Sequence, residues 1–324
     1  MEIYGTFGPS CTQLPVLTEM FRVGMCGLRL NLSHRSLAES RDWLELAQTA
    51  ARDCGKTAQI LMDLQGPELR VGKDGLPLEL TVGTTVSLDA LRLPEALLPH
   101  LQPGQELLLD DGKLQVLVQP ENTCRVLRGG KLLPRKSVAA PGVSLQLTAL
   151  TAEDHENLRL APVMGVTGVM QSFVRGREDL LTLRAALKEY GGEHIRIFAK
   201  VENLQGLATL PDWMDLADCI VIARGDLGNA MPLWQLPAMQ KGIASLCNAR
   251  GKPFLVVTQL LASMEERAVP TRAEVSDIFN AVLDGADALM LTGETAAGEY
   301  PVQAMHYLCN TAVEALRFLQ MGKE

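Results

Sequence analysis

Charged and hydroxyl side chains recur in this sequence at the ends of short aliphatic runs. In Gly27-Leu-Arg-Leu-Asn-Leu-Ser33 the leucines at 28, 30 and 32 alternate with Arg29, Asn31 and Ser33. Successive side chains of a strand point to opposite faces, so Arg29, Asn31 and Ser33 share one file. If both faces of the strand are covered, that file leaves uncompensated polar groups unless something ionic sits against it. A solvent-facing antiparallel strand would explain it equally. Phe198-Ala-Lys-Val-Glu-Asn203 repeats the pattern with Lys200 and Glu202, for which a structural ion pair is the alternative. Asp63 closes a third run, Ala223-Arg-Gly-Asp-Leu-Gly228 places Asp226 after a fourth, and Thr258 with Gln259 closes a fifth. Two carboxylates from different strand ends, Glu202 and Asp226, suit an oxygen-loving divalent cation, Mg2+ or Mn2+, which takes further oxygens from a substrate phosphate. Arg29 and Lys200 then supply positive charge to that phosphate. The five histidines lie outside this constellation.

Positioning so many strand ends together requires a repeating architecture. Eight aliphatic runs can be read: Ile3 to Phe7, Gly27 to Ser33, Gln59 to Leu64, Gly165 to Phe173, Arg196 to Glu202, Cys219 to Arg224, Pro253 to Gln259 and Ala288 to Thr292. Each is followed by a turn and then, in most cases, by helical periodicity, the alternation of βαβ units. Eight units predict an α/β chain of the (β/α)8 TIM-barrel class, whose active sites lie at the carboxyl ends of the strands. Between the third and fourth runs, residues 68–140 lose helical periodicity, which predicts an inserted β lid domain within a discontinuous barrel of 1–67 and 141–324. Glu106 to Gly112 followed by Lys113 to Val118 reads as a hairpin around an Asp-Gly turn. Thr271-Arg-Ala-Glu274 reads as a capping box, and a last helix is expected from Pro301 to Leu319.

Composition bounds the function. Hydrophobic residues make up 47% of the 324 and aromatics only 4%, so the core must be aliphatic, as buried parallel strands require. A net charge of −8 excludes the electrostatic footprint of a nucleic-acid or anionic-membrane binder. Seven cysteines without paired or metal-ligand spacing read as reduced thiols. No cationic leader and no long apolar run is seen, which predicts a soluble cytoplasmic protein.

At this point the chain resembles the pyruvate kinase family. Thr6-Phe-Gly-Pro9, Arg29-Leu-Asn-Leu-Ser-His34, Gly66-Pro-Glu-Leu-Arg70, Ser172-Phe-Val-Arg175, Lys200-Val-Glu-Asn203, Ala223 to Gly228, Thr258-Gln259, Pro270 to Asp277 and Gly293-Glu-Thr-Ala296 follow in family order. The resemblance implies phosphoryl transfer from phosphoenolpyruvate to ADP, giving pyruvate and ATP, with Mg2+ and K+ required. It implies that Glu202 and Asp226 hold the divalent ion, that Lys200 and Arg29 meet the transferring phosphate, and that Thr258 joins the proton relay. It places Gly225, Asp226, Thr258 and Ser172 on the substrate, and Asn31, Ser33, Asp63 and the Leu64 carbonyl in a monovalent-cation cage. Arg70, Lys136 and Asn31 would reach the nucleotide. In the family, Glu at the position of Glu68 goes with a need for K+. A homo-oligomer is a further implication.

Departures are also visible. The family's C-terminal domain has no counterpart in these residues, and the lid looks short. Leu64-Gln65 replaces Thr-Lys, Ala139 replaces an Asn and Ala230 replaces a Glu. These leave two rivals: a metal-dependent pyruvate-enolate lyase or aldolase on a related barrel, and a non-catalytic paralogue that binds phosphoenolpyruvate or nucleotide.

Overall fold

The computed structural model describes residues 1–33, 35–110, 112–143, 145 and 147–321. His34, which ends one of the quoted motifs, and Asp111, in the expected hairpin turn, lie outside them.

All eight expected barrel runs form strands. In chain order, with the strands of the insertion between the third and fourth of them, these are β1 (Glu2–Thr6), β2 (Gly27–Asn31), β3 (Gln59–Asp63), β4 (Leu78–Leu80), β5 (Thr85–Ser87), β6 (Glu106–Leu109), β7 (Leu114–Gln119), β8 (Thr123–Arg128), β9 (Gly130–Leu132), β10 (Val138–Ala139), β11 (Gly168–Gln171), β12 (Arg196–Val201), β13 (Cys219–Ala223), β14 (Phe254–Val257) and β15 (Ala288–Met290). The parallel order β1-β15-β14-β13-β12-β11-β3-β2 closes on itself, so the (β/α)8 barrel is observed. Helices α1 (Leu14–Val23), α2 (Arg41–Asp53), α3 (Ala152–Leu160), α4 (Arg177–Glu189), α5 (Leu204–Ala208), α6 (Leu210–Trp213), α7 (Arg224–Asn229), α8 (Leu236–Ala249), α9 (Arg272–Leu283), α10 (Gly293–Ala296) and α11 (Pro301–Met321) fill the crossovers and the end of the chain. The Thr271 and Glu274 capping box opens α9 as expected.

The chain divides into two compact units. Met1–Gly66, Ala149–Arg224 and Pro237–Glu324 form the barrel unit, and Pro67–Thr148 with Gly225–Leu236 form the second. Within the second unit, β10-β6-β7-β8-β5 make an antiparallel sheet and β4 pairs with β9. Leu107, Leu109, Val116 and Val126 anchor its own apolar core. The hairpin of β6 and β7 is present, with the Lys113 amide donating to the Asp110 carbonyl at 3.0 Å and with Asp110 and Gly112 at positive φ.

The barrel interior is aliphatic, as the low aromatic content demands. Leu61, Met170, Val221, Leu255, Val257 and Met290 pack in it around Tyr4 and Phe198. The amino-terminal mouth is closed by polar side chains: the Tyr4 hydroxyl reaches Glu2 Oε2 at 2.9 Å, Gln59 Nε2 donates to Glu2 Oε1 at 3.2 Å, and Arg196 pairs with Glu2 at 3.0 Å. β2 and β3 approach too closely at this closed end for a side chain on Gly27, whose added Cβ would stand 2.2 Å from the Gln59 carbonyl oxygen. Gly27→Val should therefore lower unfolding stability by about 2 kcal/mol through overpacking. A urea midpoint equal to wild type would contradict this strand spacing.

Candidate active site

Strand alternation decides which polar residues enter the barrel. Leu61, Met170 and Phe198 face the interior, so residues two positions further along their strands, Asp63, Ser172 and Lys200, face the same axis at the carboxyl end. Asn31 is the register partner of Asp63 across β2 and β3, and Arg29 precedes it by two on the same face. Arg29 and Asn31, two of the three residues read from the sequence as one file, thus share the interior face of β2, whereas Ser33 lies beyond the strand.

Arg29, Asp63, Ser172, Lys200 and Glu202 form one connected ionic cluster. Arg29 holds Asp63 Oδ2 through Nε at 2.7 Å and Nη2 at 2.6 Å, and reaches the Thr6 hydroxyl at 3.3 Å. Lys200 Nζ lies 2.8 Å from Glu202 Oε1, 3.3 Å from Asp63 Oδ1 and 3.0 Å from Ser172 Oγ. The second oxygen of Glu202 accepts the Phe173 amide at 2.8 Å. Ser172 donates to the Leu64 carbonyl at 2.8 Å. Asp63 and Glu202 are each only 2% exposed, so neither can rely on water for solvation. Burial pushes the Asp63 carboxyl up, but the Lys200 and Arg29 charges and their hydrogen bonds outweigh it and hold the group below its ordinary range.

Two backbone segments at the mouth are strained. Phe173 has φ of 54°, which turns its amide to Glu202, and Thr258 and Gln259 have φ of 82° and 56° immediately after β14. A β-branched residue rarely adopts this conformation, and it persists only where its surroundings over-determine it. Arg224 provides that restraint by donating to the Thr258 carbonyl from Nε at 3.0 Å and Nη2 at 2.7 Å, while its Nη1 pairs with Asp277 of α9 at 2.6 Å. Arg224, Asp277 and Phe173 were not singled out in the sequence, although all three stand inside the motifs quoted there.

Arg29, Asn31, Ser33, Asp63, Leu64, Ser172, Lys200, Glu202 and Thr258 lie in the barrel unit, whereas Glu68, Arg70, Lys136, Gly225 and Asp226 belong to the second. There, Arg70 pairs with Glu68 at 2.6 Å and donates to the Arg135 carbonyl, and Lys136 pairs with Asp110 at 2.7 Å. Gly225 and Asp226 lie in the first turn of α7. Asn31 accepts the Ser33 amide at 3.2 Å.

The donor set fits hard cations. Asn31, Ser33, Asp63 and the Leu64 carbonyl offer oxygen alone, with one charge, which suits a monovalent ion. Each Glu202 oxygen has a hydrogen-bond partner, and a carboxylate presents about four lone-pair sites, so neither oxygen is saturated by these bonds. No cluster of three or more His, Cys, Asp or Glu side chains able to hold a metal occurs among the described residues. Any ion here therefore depends on hydroxyl, carbonyl or substrate oxygens as well. No described helix is long and apolar enough to cross a membrane.

Comparison with known proteins gives the family. The family model for the pyruvate kinase barrel domain matches residues 1–305. The pyruvate kinase of Sporosarcina psychrophila is 35% identical over 333 residues, covering 96% of this chain and 56% of that protein. That of Geobacillus stearothermophilus is 36% identical, covering 97% and 57%, and that of Clostridium acetobutylicum 36%, covering 96% and 69%. The chain thus spans little more than half the length of the first two.

Asp63→Asn should remove the charge facing Arg29 and Lys200 and cost about 3 kcal/mol at neutral pH. Because the folded state holds this carboxyl below its ordinary value of 3.8, its stabilisation is complete above that value and is lost as pH falls through the folded one. The gap in urea midpoint between wild type and variant should accordingly narrow below about pH 4. A gap that stays constant would refute the ionised, ion-paired Asp63.

Proposed function

From the premise that this chain belongs to the pyruvate kinase family, we propose that it transfers the phosphoryl group of phosphoenolpyruvate to ADP, forming pyruvate and ATP. The observation that carries this reading is Lys200, held by Glu202, Asp63 and Ser172 at the carboxyl mouth of the barrel with Arg29 on the same Asp63. Two cations preorganised in a desolvated site meet anionic oxygens without reorganisation, the usual source of the largest catalytic term.

In this reading Arg29 binds the phosphate with its forked donors and Lys200 meets the charge that develops on the equatorial oxygens. The oxygens that hold Lys200 also orient it, so the ammonium is fixed before substrate arrives. Ser172 lines the substrate side. The Thr258 hydroxyl, set by the strained turn after β14, joins the proton transfer to the enolate carbon, and the amides of Gly225 and Asp226 take the substrate carboxylate. Glu202 would hold the Mg2+ or Mn2+ ion, with Asp226 as the second carboxylate assigned from sequence. Bound there, the ion supplies electrostatic stabilisation of anionic substrate oxygens. Asn31, Ser33, Asp63 and the Leu64 carbonyl would hold K+, and Arg70 and Lys136, with Asn31, the nucleotide phosphates. Cytoplasmic location and a homo-oligomer belong to the same proposal. No finding favours the lyase or the non-catalytic reading.

Mixing the protein with phosphoenolpyruvate, ADP, Mg2+ and K+ should yield pyruvate. Lys200→Met should lower kcat by roughly two powers of ten or more, the effect of removing a transition-state charge worth about 3 kcal/mol. Retention of most activity would remove Lys200 from the reaction. Replacing K+ by tetramethylammonium at constant ionic strength should lower turnover, and Glu68→Lys should weaken that dependence. Full activity of wild type without K+ would dismiss the cation cage.

A further inference from the structure

A carboxylate outside the ionic cluster holds the peptide that carries one of its carbonyls. Asp154, at the third position of α3, is buried to 1% exposure and accepts three backbone amides: Gln65 on Oδ1 at 3.1 Å, and Gly66 and Thr151 on Oδ2 at 3.2 Å and 2.8 Å. The Thr151 bond belongs to a capping box, in which Thr151 Oγ1 accepts the Asp154 amide at 3.1 Å. The other two are additional to any helix requirement. They reach the segment that leaves β3, where Gly66 takes φ of 61° and has no room for a side chain to spare beside Ser172.

The Gln65 amide and the Leu64 carbonyl belong to one planar trans peptide, in which N–H and C=O point in opposite directions. Holding the amide toward Asp154 therefore aims the carbonyl away from α3. There it accepts Ser172 Oγ at 2.8 Å, and Ser172 in turn accepts Lys200 Nζ at 3.0 Å. The Leu64 amide is fixed separately, donating to the Met170 carbonyl at 3.1 Å. A carbonyl with both flanking peptides tied is a rigid ligand.

We propose that Asp154 is a positioning residue which, through the Leu64–Gln65 peptide, aims the Leu64 carbonyl at the monovalent-cation cage and thereby sets its affinity for K+. This rests on the potassium-dependent reading of the site. Partners behind the ligands of a metal typically change its affinity by roughly 10–100-fold when removed.

Asp154→Asn and Asp154→Ala should raise the K+ concentration for half-maximal activity by roughly tenfold or more. They should leave kcat at saturating K+ and the Mg2+ requirement close to wild type. Thr151→Ala is the control, since it removes the threonine half of the same capping box and spares the Gln65 and Gly66 bonds. It should lower stability with no change in the K+ response. Stabilisation of each protein against heat by K+, at ionic strength held with tetramethylammonium, gives the same comparison without substrate. Should neither Asp154 variant fold, amide exchange in wild type decides: K+ should slow exchange at Gln65 and leave Thr151 unaltered. Equal K+ constants in Asp154→Asn and wild type, or equal slowing at both amides, would overturn the proposal. A wild type that makes pyruvate but ignores K+ in every readout would overturn the cage itself, and one that makes none while K+ still stabilises it would overturn the reaction and leave Asp154 in its role.

Discussion

Removing charge from water is costly, and the mouth of this barrel removes four charged side chains at once. An isolated buried ion forfeits several kcal/mol of solvation, so Asp63 and Glu202 can remain nearly inaccessible only because Arg29 and Lys200 face them at hydrogen-bond distance. The constraint runs in both directions. Asp63, Ser172 and Glu202 all present oxygens to Lys200, and each comes from a different strand end: Asp63 from β3, Ser172 from the end of β11 and Glu202 from the end of β12. These three strands are consecutive neighbours in the parallel barrel, so their carboxyl ends meet at one side of its mouth. The parallel strand order thus gathers the charges at one end and leaves the interior below them aliphatic.

Backbone conformation adds a second layer. Phe173, Thr258 and Gln259 adopt left-handed φ without being glycine, and each lies directly beyond a strand at the same end of the barrel. Phe173 spends this strain on an amide for Glu202, and the Thr258 turn is locked by the Arg224 fork and its Asp277 anchor. Asp154 serves the Leu64 peptide in a comparable manner without any unusual φ of its own neighbours except Gly66. The Thr258 backbone and the Leu64 carbonyl are therefore carried by loop segments whose peptide planes are individually tied.

Much of this was legible in the sequence because the signals were local. Alternation within Gly27 to Ser33 and Phe198 to Asn203 gave the inward face of β2 and β12, and the Asp-Gly pair and the Thr271 box marked a hairpin and a helix start that both formed. Interactions of large sequence separation were not legible. Nothing near Asp154 announces that its carboxylate reaches back 89 residues to Gln65, and the Arg224 fork acts on a turn 34 residues away. The compact unit built on the insertion also takes Gly225–Leu236, a segment that the sequence reading left in the barrel stretch 141–324. Identifying a lining residue needed only periodicity, whereas identifying what holds it needed the closed barrel.

The central claim is that the cluster at the barrel mouth binds phosphoenolpyruvate together with a divalent ion. Calorimetric titration of phosphoenolpyruvate into the protein, with and without Mg2+ and in the absence of nucleotide, tests it most directly. Mutual charge compensation predicts binding at least about tenfold tighter with Mg2+ present, a coupling of about 1.4 kcal/mol that must appear equally when Mg2+ is titrated with and without phosphoenolpyruvate. Affinities independent of one another, or no binding of phosphoenolpyruvate in either condition, would contradict it.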